Sequence, residues 1–164
     1  MDRKQITLKL TIDAIGLPFD IGTFEKRLLL QKTVYLAQAG GMDFGYYYHW
    51  YLHGPYCPAL TKDAFAVNEE LLQGLDESQG WKLGDDCLRR LETVKTLLRT
   101  GDVGQKANQL ELLASVHFLC VRKQVAADSP KAITATLKLF NKDFRCEDVE
   151  GALRELNTRG LLTT

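Results

Sequence analysis

The stretch TFEKRLLLQKTVYLAQA, residues 23–39, constrains this chain more than any other. Phe24, Leu28, Leu29, Leu30, Val34, Tyr35, Leu36 and Ala37 cover most of the circumference of a 3.6-period helix. A helix that is apolar on nearly every side has to be surrounded by other elements, so this one is expected at the centre of the fold. Thr23 is its candidate N-cap, and Gly40–Gly41 ends it where a positive φ costs little. A shorter helix over about 2–15 is expected before Pro18.

The segment GYYYHWYLHGPYCPAL, residues 45–60, breaks the helical period. It holds five of the six tyrosines and two of the three histidines, with no charged side chain. Over 46–53 the period becomes two. Tyr46, Tyr48, Trp50 and Leu52 are expected on the core side, and Tyr47, His49, Tyr51 and His53 on the other. Gly54–Pro55 is expected to end the strand, and Pro58 suits the first position of a new helix. Helical stripes then recur: Leu60, Ala64, Val67, Leu71 and Leu75; Cys87, Leu91, Val94 and Leu98; Leu110, Leu113, Val116 and Cys120. Ser129–Pro130 opens a helix with Ile133, Leu137 and Phe140, and the turn NKDFR leads to a last one with Val149, Leu153 and Leu156.

The expected fold is therefore mainly α, with one short β-strand or hairpin near residues 46–53 and a helix-turn-helix-like C-terminal part. The 164 residues suit a single domain, 1–80 as a core and 81–164 as a helical lobe.

Charge narrows the function classes. Lys plus Arg equals Asp plus Glu at 21 each, and neither half is strongly basic. Affinity for nucleic acid comes largely from neutralised phosphates, so a dedicated nucleic-acid binder is disfavoured. The last helix, CEDVEGALRELNTR, carries Glu147, Asp148, Glu150 and Glu155 against Arg154 and Arg159, which suits a solvated face better than a DNA reader. The uncharged run from Phe44 to Thr61 contains two prolines and two glycines, so no membrane span is expected there. Charges interrupt every apolar stretch of MDRKQITLKLTIDAIG, and no signal peptide is expected. Cys57, Cys87, Cys120 and Cys146 lie far apart without a CxxC pair, which fits free thiols and a cytoplasmic location.

No catalytic set converges. His49 and His53 share a strand face but sit about 13 Å apart at the usual rise per residue, too far for one metal. No metal or other cofactor is expected. Cys57 near a helix N-terminus, with His53, is the one nucleophile arrangement to weigh, and it lacks an orienting third group. A weak cap is the simpler reading of Cys57, and a backbone hydrogen bond in the turn the simpler reading of His53.

Two motifs taken together carry a resemblance. LLLQKTVYLAQ at 28–38, followed by WYLHGPYCPALTKD at 50–63, resembles the Panacea-domain proteins, the group of the SocA-like antitoxins, and most of all their YwgA-like relatives. Gln31, Lys32, Tyr35, His53, Gly54, Pro55 and Pro58 match the family pattern; Cys57 departs from it, standing where serine or another small residue is usual. The resemblance covers roughly residues 20–70. It implies a protein that acts by direct contact with a toxin, in one kind as a protease adaptor, while the YwgA-like branch has no assigned activity.

The expectation is a non-enzymatic protein-binding module, antitoxin-like or a defence-associated accessory protein. Its partner would be another protein, a toxin or a second copy of the chain, engaged through Tyr47, His49, Tyr51 and His53. Two alternatives belong to other classes: a winged-helix-like transcriptional regulator, and a small enzyme using Cys57 and His53.

Overall fold

The computed structural model describes residues 1–98 and 101–162. Among them the fold is mainly α. In chain order the elements are α1 (Arg3–Ile15), α2 (Phe24–Ala39), β1 (His49–Tyr51), β2 (Gly54–Tyr56), α3 (Pro58–Leu72), α4 (Asp85–Leu97), α5 (Val103–Arg122), α6 (Pro130–Leu139) and α7 (Cys146–Thr158). No helix among the described residues is long and apolar enough to cross a membrane.

Local chemistry sets the helix ends. The Asp2 carboxylate accepts from the Gln5 amide at 2.8 Å while the Gln5 side chain returns to Asp2, a capping box that opens α1. Asp102 and Gln105 repeat it at α5. Thr23 caps α2 by accepting from the Lys26 amide, as its position predicts. At the other end of α2, Gly40 keeps an ordinary φ of −77° and Gly41 takes the left-handed one, +98°.

Ten consecutive residues of α2, Leu28 to Ala37, are buried, which places this helix at the centre. It shares that place with α5, against which it packs most extensively. The stripe Leu110, Leu113, Val116 and Cys120 suggests a helix with one buried face. In fact seven consecutive residues of α5, Leu113 to Leu119, are buried. The reason is tertiary: α2, β2 and α7 all pack on α5 and cover it from several directions. The last two helices, α6 and α7, pack on each other across the turn, a helix–turn–helix pair. The α3 stripe ends earlier than its spacing suggests. Helix α3 stops at Leu72, and Leu75 lies exposed beyond it.

The aromatic segment is the largest departure from expectation. Alternation is real: Met42, Phe44, Tyr46 and Tyr48 are buried, with exposed residues between them. Yet Gly54–Pro55 does not end a strand; it starts the second one. Strands β1 and β2 form an antiparallel hairpin pairing His49 with Tyr56, Trp50 with Pro55 and Tyr51 with Gly54. Leu52 and His53 make the two-residue connection, so Leu52 leaves the alternation and lies 73% exposed instead of in the core. Gly54 has φ +81°, and a Cβ there would meet the Ser115 Oγ of α5 at 2.3 Å. Only glycine meets both demands.

Replacing Val34, fully buried on α2, with Asp is expected to lower stability by several kcal/mol, because an unpaired carboxylate would be sealed in apolar surroundings. Thermal unfolding followed by circular dichroism checks this; an unchanged melting temperature would refute the central position of α2.

Candidate functional site

An edge strand exposes main-chain groups that need partners. Pairs in an antiparallel ladder alternate between those that exchange hydrogen bonds and those that do not. Pro55, next to the pair that closes the turn, falls at a position of the second kind, so its missing N–H costs the ladder nothing and its carbonyl points outward. The buried Lys32 amine of α2 donates to that carbonyl at 2.6 Å. One residue away, Gln31 brackets Cys57. Its Oε1 accepts from the Cys57 amide at 3.1 Å, and its Nε2 donates to the Cys57 carbonyl at 2.8 Å and to Thr61 Oγ1 at 2.8 Å.

Two helical turns further along, Gln38 does the same for Tyr46, with both bonds at 3.0 Å. A side-chain amide presents a donor and an acceptor side by side, so each glutamine serves as a short length of neighbouring strand. Tyr35 completes the face. Its ring meets Tyr48 edge-on at 5.0 Å, and its hydroxyl lies 2.7 Å from His117 Nδ1. His117 Nε2 donates to the Leu161 carbonyl, which leaves Nδ1 to accept from Tyr35. Burial holds the His117 pKa below its ordinary value, in keeping with a neutral ring. These contacts give Gln31, Lys32, Tyr35, Gly54 and Pro55 structural duties. Pro58 opens α3 after Cys57, whose side chain makes no cap hydrogen bond.

The turn is held from the other side. Lys142, in the loop before α7, donates to the Leu52 carbonyl at 2.9 Å and pairs with Glu111 of α5. The second Glu111 oxygen lies 3.4 Å from His53 Nδ1, and the His53 ring meets Phe24 edge-on. His53 therefore faces a carboxylate rather than turn backbone. Burial pushes the Lys32 amine down to about 7; the Glu111 charge opposes the shift and Lys142 adds to it.

Of the proposed partner-binding residues, Tyr47, His49, Tyr51 and His53 all lie exposed. Tyr51 rests against Tyr56 across the hairpin, ring centroids 5.5 Å apart. The inward face holds Tyr46 and Tyr48, with Trp50 half-buried between Phe118 and Phe140. Cys57 is buried, which removes its thiol from solvent. Among the described residues no three His, Cys, Asp or Glu side chains converge as metal ligands.

The residues that sequence reading missed are Gln38, Glu111 and Lys142, together with Arg27, Phe24 and Phe65, which border a groove beside the hairpin. A glutamine seven residues after Gln31 was the available signal for Gln38. Glu111 and Lys142 come from distant parts of the chain and carry no local one. No protein-family model, no curated protein and no solved structure matches the chain.

Two outcomes follow. Gln31→Leu leaves the Cys57 amide and carbonyl without their buried partner and is expected to cost about 1–3 kcal/mol for each group stranded; urea unfolding measures it. Lys32 supplies a pH signature. An unfolded lysine stays protonated to about its ordinary 10.5, while the folded amine loses its proton near 7. Between these values the unfolded chain binds more protons, so stability rises with pH. From pH 7 to 9.5 the protein is expected to gain on the order of 2–3 kcal/mol relative to Lys32→Met. A pH-independent difference in unfolding free energy between the two proteins would refute it.

Proposed function

We propose that this chain is a non-enzymatic protein-binding module, acting as an antitoxin-like or defence-associated accessory protein. One observation carries the reading: Tyr47, His49 and Tyr51 stand exposed on the outer face of an uncharged segment whose inner face is core. Tyrosine offers large contact area and a hydroxyl at low entropy cost, which is why it concentrates energy at interfaces. The antitoxin-like part rests on the paired motifs at 28–38 and 50–63.

The clamp adds physical support. A hairpin held at Pro55 by Lys32 and at its turn by Lys142, with the flanking residues Cys57 and Tyr46 held by Gln31 and Gln38, presents its outer tyrosines with little main-chain ordering left to lose on binding. The partner is another protein, either a toxin or a second copy of the chain.

The double substitution Tyr47→Ala, Tyr51→Ala is expected to leave the melting temperature within a few degrees, since both side chains are exposed. It is expected to abolish co-purification of the partner that the unaltered protein retains, identified by mass spectrometry, or to dissociate a self-complex seen by light scattering. Undiminished association of the double variant would refute this face as the contact surface.

A further inference from the structure

Beside the outer face of the hairpin lies a groove of about 300 Å³, walled by α2, α3 and the hairpin turn. Its apolar walls include Phe24 and Phe65, 48% and 52% exposed, and Tyr51, which also belongs to the proposed contact face. Its basic lining is Arg27, Lys32 and His53, its other titratable groups are the phenols of Tyr51 and Tyr56, and no carboxylate lines it. Glu111, the acid that reaches His53, is bound to Lys142. A protein of zero net charge thus sets basic side chains and no acid along an exposed apolar groove.

We propose that this groove docks a segment of a partner protein made of apolar residues and one carboxylate. The acid faces Arg27, and the apolar side chains rest on Phe24, Phe65 and Tyr51. The proposal rests on the protein-binding reading and adds the chemistry of the partner.

Charge decides the occupant. Arg27 carries the charge of the groove, because the Lys32 side chain is 1% exposed and its amine is already engaged by the Pro55 carbonyl. A neutral apolar segment laid over the Arg27 guanidinium would bury its charge without compensation, and a basic one would add repulsion. A carboxylate supplies acceptors and opposite charge. Arg27 uses one nitrogen on the Ile21 carbonyl and keeps donors for a planar acid. Continuity through Tyr51 favours a chain segment, which can cover groove and outer face together, over a small acid confined to the groove.

The probe is a phage-displayed library of random dodecapeptides, selected on the folded protein. The expected result is enrichment of sequences with Asp or Glu beside aromatic or aliphatic residues. A synthetic, end-capped consensus peptide should bind about tenfold or more weakly to Arg27→Gln and to Phe65→Ala, a loss of about 1.4 kcal/mol or more. Replacing its acid with the matching amide should do the same. Phe65→Ala removes an exposed side chain and keeps the test valid even if Arg27→Gln, which gives up the bond to the Ile21 carbonyl, disturbs folding. Enriched peptides lacking an acid, undiminished binding to both variants, or no enrichment would overturn the proposal. So would displacement of the peptide by 4-phenylbutyrate at concentrations below the peptide's own Kd, which would assign the groove to a small acid. The two readings fail separately. Partner association that needs Tyr47 but not Arg27 or Phe65 sinks the groove alone, whereas association indifferent to Tyr47 and Tyr51 sinks the contact face.

Discussion

Main-chain groups of the aromatic segment are held by side chains of α2, and the rest of the architecture depends on that. Gln31 and Gln38 each offer a paired donor and acceptor, and Lys32 caps the carbonyl between them. A helix has no free main-chain groups along its length, so it cannot extend a sheet. Helix α2 instead holds the extended chain on either side of the hairpin, at Tyr46 and Cys57, with amides seven residues apart. This lets an isolated two-stranded hairpin, marginal by itself, sit against a helical core.

The same arrangement accounts for the composition of the segment. Its inward tyrosines need partners for their hydroxyls and find them: Tyr46 donates to Asp63 at 2.8 Å, and Tyr48 sits near the Gln31 carbonyl. Its outward tyrosines have no such duty. Cys57 sits at the N-cap of α3 with its main chain already taken by Gln31, so a side-chain cap is dispensable there. Cys57 is buried, and His53 is directed to Glu111 and Phe24.

Electrostatics around the hairpin are unbalanced in one direction. Two lysines, Lys32 and Lys142, donate to hairpin carbonyls, at Pro55 and Leu52, and one glutamate, Glu111, answers both. Lys142 takes the direct contact, and Lys32 is left with a distant charge and a carbonyl. That asymmetry explains why burial wins at Lys32 and lowers its proton affinity. The adjoining groove carries Arg27 and no carboxylate in a protein that is neutral as a whole.

Much of this was legible in the linear chain. The near-complete apolar surface of 24–39 dictated a central helix, because such a surface has no stable place in water. The period-two run dictated which tyrosines turn inward, since successive side chains on an extended chain point to opposite sides whatever lies around them. The companionship of LLLQKTVYLAQ and WYLHGPYC was visible as a pattern, but its cause was not. Only the tertiary structure decided that Gln31 and Lys32 meet Pro55 and Cys57, that Gly54 turns the chain back against Ser115, and that Leu52 points to solvent. Glu111 and Lys142 reach the hairpin from far along the chain, and α5 is buried by neighbours it cannot announce. Local pattern reports what a residue does to its own helix or strand; contacts between distant segments are set by how those elements pack.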